Sequence, residues 1–231
     1  MLLKNKVVLI TGANGGLGRA VGRAFLDAGA RVAGTAPKIE QSEFPDSTFL
    51  PMPAEISSSA QAKTLVDGVL TRCGQLDALV HLVGVFAGGK SVAETDDATL
   101  DRMLDVNFRT AFHMIQAVLP AMQAGRSGRI LAIGSRTAVE PTAGLGAYSA
   151  SKAALVSLIG TVARENKALG ISANVILPGT MDTPANRSAM PGADPSHWVQ
   201  PAQVAALLVH LVSDAAAQIT GAVVPVYGLD L

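Results

Sequence analysis

Apolar residues in this chain follow two rhythms. Short unbroken runs alternate with longer stretches in which apolar positions recur every three or four residues. The runs at 6–11, 31–35, 48–52, 76–83, 129–134, 171–177 and 222–226 predict strands, and the periodic stretches at about 16–28, 57–73, 96–124, 148–169 and 201–213 predict helices. Strands that are apolar throughout belong to a parallel sheet covered by helices on both faces. Strict alternation of strand and helix predicts an α/β fold, a doubly wound parallel sheet of the Rossmann type in three αβα layers. No repeat, low-complexity tract or linker interrupts the pattern, so residues 1–231 are expected to form a single domain.

Composition supports this and narrows the partners. Hydrophobic residues make up 49% of the chain and charged residues 16%, enough for a large core and contrary to disorder. The 18 basic and 18 acidic side chains cancel and form no basic stripe, which argues against nucleic acid. Cys73 is the single cysteine, so no intrachain disulfide and no thiolate metal site can form, and no metal is expected. The first six residues lead into a strand without signal-like features, and no apolar stretch reaches the roughly 18 residues of a spanning helix. A cytoplasmic protein without membrane contact is expected.

Chemistry enters after the first strand. Thr11-Gly12-Ala13-Asn14-Gly15-Gly16-Leu17-Gly18 joins a strand to a helix. Glycines there allow a tight turn and close backbone approach, and the helix N-terminus offers unpaired N–H groups to a phosphate. The strand–turn–helix context favours a dinucleotide site over a purely structural turn. After the second strand, Thr35-Ala36-Pro37-Lys38 carries no carboxylate to bond a ribose 2′-hydroxyl. Thr35 and Ala36 leave room for a 2′-phosphate and Lys38 could neutralise it, so NADP(H) is favoured over NAD(H). The plainer reading of Lys38 is a solvated loop lysine.

Further along, Tyr148 and Lys152 stand four apart at the start of a predicted helix, on one face. An ammonium beside a phenol favours the phenolate, which predicts a lowered tyrosine pKa and an acid/base role. Ser135 follows the strand at 129–134, where open α/β sheets place ligands, and its hydroxyl could hold a substrate oxygen. Asn107 sits inside a helical stretch where asparagine is a poor helix former, so it could accept a local break and bind an ordered water. Each of these residues taken alone is as readily structural.

Taken together, the spacing Thr-Gly-x-x-x-Gly-x-Gly and the series Asn107, Ser135, Tyr148, Lys152 resemble the short-chain dehydrogenase/reductase family. The resemblance runs over essentially the full chain, through Pro178-Gly179, Thr183 and Ile219-Thr220-Gly221. It implies a nicotinamide cofactor bound by Gly12, Asn14, Gly15, Gly16, Leu17, Gly18, Thr35, Ala36, Lys38, Glu55, Ile56, Gly84, Pro178, Gly179 and Thr183, with Tyr148 and Lys152. It also implies that Tyr148 protonates a carbonyl oxygen oriented by Ser135, that Lys152 bonds the nicotinamide ribose, and that Asn107 holds a relay water. A homotetramer or homodimer is implied too, paired through the helix carrying Ala153, Ala154, Leu155, Leu158, Ile159 and Val162.

Three departures stand out. The family's Asn-Asn-Ala-Gly is here His81-Leu82-Val83-Gly84, where His81 could be a switch or a proton relay but reads better as a satisfied core histidine. Glu55-Ile56 stands where the family usually has Asp-Val or Asp-Leu beside the adenine, and Val226-Tyr227-Gly228 closes the last strand without an acidic residue. A narrower resemblance, to the dihydropteridine reductase branch, lies in Phe86-Ala87-Gly88-Gly89 and in the run from Leu177 to Trp198. It makes residues 178–200 a substrate-covering lid. In that lid Trp198 could cover a flat substrate, and Asn186 and Arg187 could meet substrate or fix the loop. Phe86, Asn186 and Trp198 are the candidate substrate residues. The leading expectation is a carbonyl reductase or alcohol dehydrogenase acting on a small molecule. A pterin or quinonoid reductase, a 3-oxoacyl thioester reductase (suggested also by Val32-Ala33-Gly34-Thr35-Ala36) and a dinucleotide-binding redox sensor are the alternatives.

Overall fold

A computed structural model, which describes residues 1–229, gathers the apolar runs into one seven-stranded sheet. Its strands are β1 (Val7–Thr11), β2 (Arg31–Thr35), β3 (Phe49–Pro51), β4 (Ala78–His81), β5 (Gly128–Ile133), β6 (Ile171–Pro178) and β7 (Val223–Val226). All pair in parallel, in the order β3-β2-β1-β4-β5-β6-β7. Strand order reverses between β1 and β4, so the crevice beyond their carboxyl ends is where this fold places a ligand.

Two helices, α1 (Gly16–Asp27) and α7 (Pro201–Val212), cover one face. The other face carries α2 (Ser59–Cys73), α4 (Thr110–Gly125) and α5 (Gly146–Asn166). Successive strand residues point to opposite faces. Val8 and Ile10 therefore share one core with Val21, Phe25 and Leu208, while Leu9 shares the other with Val69, Met114 and Ile159. Burial of each such side chain contributes about 1.5–3 kcal/mol. Both neighbours of a strand residue being apolar layers, the runs carry no polar alternation. Among the described residues no helix is long and apolar enough to cross a membrane.

Two stretches depart from the pattern read in the sequence. The periodicity at 96–124 is broken into α3 (Asp97–Leu104), a π-turn at Asp105–Arg109, and α4. A π-turn inserts one residue into a helix without removing its apolar residues, so it is hard to see in periodicity alone. Asn107 sits inside it. The stretch after β6, irregular by composition, contains α6 (Pro184–Ala189), with Thr183 capping Asn186 N–H at 3.3 Å and Pro184 at the first helical position. Met181 and Val199 close this segment with a parallel bridge.

Candidate active site

Four side chains singled out by the sequence meet beyond the carboxyl ends of β4 and β5. Helix α5 starts at Gly146, which sets Tyr148 and Lys152 one turn apart. Lys152 is buried, and its Nζ donates to the Ile133 carbonyl at 2.9 Å. Ser135, just past β5, faces the Tyr148 phenol closely enough to favour its ionised form. Its Oγ accepts from Thr137 N–H at 3.3 Å and lies 3.1 Å from Thr137 Oγ1, which fixes the serine rotamer.

Asn107 is fully buried and acts as a strand partner for the chain leaving β4. Its Oδ1 accepts from Val85 N–H at 2.7 Å, and its Nδ2 donates to Val85 O at 3.0 Å and to Ser151 Oγ at 3.0 Å. Ser151 in turn donates to the Tyr148 carbonyl at 2.7 Å, so Asn107 reaches α5 through one hydroxyl. Gly84 faces this cluster. A Cβ there would lie 3.0 Å from Lys152 Nζ and 3.1 Å from Asn107 Oδ1, so the position must stay small.

Burial governs the electrostatics. It raises the Tyr148 phenol above its ordinary value, and the Ser135 hydroxyl opposes the rise. The expectation that the Lys152 ammonium lowers the phenol is corrected here: the ammonium points to Ile133 O, and burial brings its own pKa down to about 8. The phenol is thus held in its protonated form at neutral pH, the form a proton donor needs.

His81 is a core histidine in these surroundings. Its ring is buried, with Nδ1 3.0 Å from Thr11 Oγ1 and Nε2 3.4 Å from Thr110 Oγ1. Burial first, and then the charge of Lys152, lower its pKa to about 3.

Beside the cluster, the turn between β1 and α1 forms a cradle. Gly12 has φ of +69°, and a Cβ on Gly18 would lie 2.1 Å from Gly12 O. Gly15 caps α1 without a side-chain bond, and the first turn of the helix carries no carboxylate, which leaves its N–H groups and partial positive charge to an anion. A cavity of about 510 Å³ continues from Gly12 and Asn14 past Thr35, Ala36 and Pro37 to Glu55, Ile56 and Ser57. Thr35 Oγ1 is buried at its wall and has no protein partner among the described residues. A glycine cradle, an uncapped helix end and an orphaned hydroxyl fit a dinucleotide. Lys38 is exposed, and its carbonyl accepts from Asn14 Nδ2 at 3.0 Å, tying the two cofactor-side loops together.

The remaining predicted residues divide. Gly179 donates to Val226 O at 2.9 Å beside Pro178, and Thr183 packs against Gly16, whose added Cβ would lie 3.0 Å from the threonine Cβ. Phe86 is 64% exposed and stacks edge-on against Tyr148 with ring centroids 5.0 Å apart. Asn186 spends its amide on Met181 O at 2.8 Å, and Arg187 clasps Asp182. Trp198 is only 9% exposed.

Sequence reasoning missed Ser151, Thr137 and Arg136. Ser151 lies three residues beyond Tyr148 on the same helix face, a spacing that could have pointed to it. Thr137 is visible only once Ser135 is in place. Arg136 sits 4.7 Å over the Tyr227 ring and donates to Glu140 at 2.6 Å.

Comparison with known proteins agrees with this geometry. Residues 6–193 match the family model for short chain dehydrogenase. The chain is 29% identical to a 3-oxoacyl-[acyl-carrier-protein] reductase of Salmonella typhimurium, over 99% of this chain and 98% of that protein. It is also 29% identical to the 2,3-dihydro-2,3-dihydroxybenzoate dehydrogenase of Escherichia coli, covering 95% and 94%. Among solved structures, a short-chain dehydrogenase/reductase from Serratia marcescens superimposes with a TM-score of 0.89 at 31% identity, covering 99% of this chain and 98% of that one. Its NAD(P)-type cofactor and its oxidoreductase chemistry follow from one conclusion: the chain belongs to the short-chain dehydrogenase/reductase family.

Proposed function

We propose that Tyr148 is the acid/base residue of a carbonyl reductase or alcohol dehydrogenase acting on a small molecule, with Ser135 orienting the reacting oxygen. The observation that carries this is the half-buried Tyr148 phenol, acted on by Ser135, together with buried Lys152 and Asn107 beyond the carboxyl ends of β4 and β5. When bound, the nicotinamide supplies the hydride in reduction and accepts it in oxidation. In the direction of reduction, the phenol gives its proton to the oxygen that gains charge, while the Ser135 hydroxyl, steadied by Thr137, donates to the same oxygen. The reverse reaction returns that proton to the tyrosine. Lys152, with a pKa near 8, sits next to Asn107 and can shift a proton at neutral pH; in the proposal it bonds the nicotinamide ribose and joins Asn107 in replenishing the phenol through an ordered water.

The cofactor is read as NADP(H). The cavity wall at Thr35, Ala36 and Pro37 carries no carboxylate, and Lys38 stands just beyond it. Residues 178–200 form the substrate-covering segment in this reading, with Phe86 as the substrate contact nearest the phenol. Leu155, Ile159 and Val162 of α5 are buried against the sheet, which leaves Ala153, Ala154 and Leu158, all half-buried, for a two-fold contact between copies. Oxidation of NADPH and NADH should be followed with aldehydes, ketones, quinones, a quinonoid pterin and a 3-oxoacyl thioester. Turnover of at least one carbonyl is the expected result; tight cofactor binding with no turnover of any would leave a dinucleotide sensor instead.

A further inference from the structure

The substitution of histidine at the end of β4 has a direction built into it. Thr110 N–H donates five residues back, to Asp105 O, which is the widened bond of the π-turn. The carbonyl four residues back, Val106 O, instead takes the Thr110 hydroxyl hydrogen at 2.6 Å. A threonine hydroxyl has one hydrogen, so toward His81 Nε2 it can only accept. Nε2 therefore carries the imidazole proton, and Nδ1 is bare and accepts from the Thr11 hydroxyl. Thr11 Oγ1 accepts in its turn from Leu82 N–H at 3.1 Å. Each donor is matched to one acceptor, from Leu82 on β4's exit, through Thr11 of β1 and the ring, to Val106 inside the π-turn.

His81 and Thr11 are lateral partners at the ends of β4 and β1, so the ring is anchored on the two central strands. The other end of the chain of bonds is one residue from Asn107, which holds Val85 and Ser151. Burial keeps the imidazole neutral, with a pKa near 3, which is the charge state this single-direction chain requires.

We infer that His81 is a positioning residue for the proton-handling floor, acting through Thr110 on the π-turn that carries Asn107. The inference rests on the role proposed above for Asn107.

Its test uses the full chain and two measurements. Amide hydrogen exchange, which needs no substrate, is followed over residues 82–86 and 105–111. Steady-state kinetics is followed with NADPH and an aromatic ortho-quinone as probe. His81→Leu and Thr110→Val should each raise exchange in both segments and lower kcat by about ten- to a hundred-fold, the scale of a displacement of about 1 Å. NADPH affinity and probe KM should stay within about two-fold of native in His81→Leu, since His81 is buried outside the cavity lining, whereas Thr110 lines that cavity and its variant is read by exchange and kcat. His81→Gln, whose amide nitrogen can take the Nε2 place, should recover most of kcat, and His81→Asn, which reaches only toward Thr11, should not. The double variant His81→Leu/Thr110→Val should be no worse than the poorer single one, because both break the same chain. Should His81→Leu not fold, Thr110→Val and Thr110→Ser carry the same comparison from the other end of the bond. Unchanged exchange at 105–111, native kcat in the folded variants, or equal behaviour of the Gln and Leu variants would overturn the inference. Asn107→Ala separates this from the reading beneath it: native kcat there defeats the proposed relay itself, whereas a collapsed kcat there with inert His81 variants defeats only the histidine's part.

Discussion

The floor of the site and the segment proposed to cover it are held by opposite means. On the floor, Asn107, Ser135, Lys152 and His81 are buried and spend their polar atoms on backbone carbonyls, backbone amides and neighbouring serine and threonine hydroxyls. In the covering segment, backbone bonds to Val199 close the base, and the side-chain ties are Asp182 with an exposed Arg187 and with Gln200, one Asn186 amide on Met181 O, and a six-residue helix. Buried bonds are costly to leave unmade, so they fix geometry; exposed ones exchange with water at little cost. Proton transfer needs the first kind of support. Admitting and releasing a substrate needs the second.

The hardest way to break this comparison is at the phenol. Tyr148→Phe removes only the oxygen, so the floor's packing and the cofactor cradle stay. Turnover should fall by about 10²- to 10⁴-fold, the usual worth of a positioned general acid, with cofactor affinity close to native. Retention of more than a tenth of the native rate would reject Tyr148 as the acid. Lys152→Ala should lose both turnover and cofactor affinity, because in the proposed reading it touches the ribose as well as the proton path.

The floor's dependence on a neutral histidine has its own signature. The folded pKa of His81, about 3, lies below the value near 6.5 expected in the unfolded chain. Its contribution to stability is therefore fully present above about pH 6.5 and is lost as pH falls toward 3, at up to about 1.4 kcal/mol per unit. Between pH 7 and 5 this amounts to about 2 kcal/mol. Urea unfolding at pH 7, 6 and 5 should show that loss in the native chain and its absence in His81→Gln. Parallel slopes for the two proteins would mean that the ring is not held neutral by the fold.

What could be read in advance follows the same division. The sheet and both helical layers were legible because periodicity is a local property of the chain, whereas Tyr148, Lys152, Ser135 and Asn107 stood out only together, through the family resemblance. The π-turn was legible only as a possible local break at Asn107, because one inserted residue leaves composition and period nearly unchanged. The direction of the Tyr148 shift was not legible: it depends on how deeply the phenol is buried and where Lys152 points, and neither is encoded in a spacing of four. Helix α6 was hidden in a stretch rich in proline and glycine, although Thr183-Pro184 is a cap followed by a favoured first residue.

Beside the floor runs the cofactor cavity, whose wall at Thr35, Ala36 and Pro37 is the proposed ribose end. NADPH should be preferred to NADH, and Ala36→Asp should reverse or strongly reduce that preference. Ala36 is nearly buried at the cavity wall, so a carboxylate there would face the 2′-phosphate at short range. Like charges about 4 Å apart repel by roughly 1 kcal/mol in bulk water and about 4 kcal/mol at an effective dielectric of 20. Even the lower figure is several-fold in affinity. Neutralising the exposed Lys38 should weaken NADPH alone, with an effect that shrinks at high salt. A several-fold native preference for NADH in kcat/KM would overturn the reading of this wall.

The smallest effect is expected in the covering segment. Arg187 holds Asp182 with Nε to Oδ1 at 2.5 Å and Nη2 to Oδ2 at 2.9 Å, and these bonds keep the Asp182 carboxyl below its ordinary pKa. Arg187→Ala removes both. Asp182 would still accept from Gln200 at 3.2 Å, and its N–H would still donate to Val199 O at 2.8 Å, so the segment loosens without detaching. Substrate KM should change by less than about five-fold, while kcat and cofactor affinity stay native. Because the arginine is exposed, raising the ionic strength should move the native protein toward the variant. A ten-fold fall in kcat instead would mean that Arg187 helps to set the position of the reacting groups. The contrast between a rigid floor and a permissive cover would then fail at its weakest point, and the segment would have to be counted with the proton-handling residues.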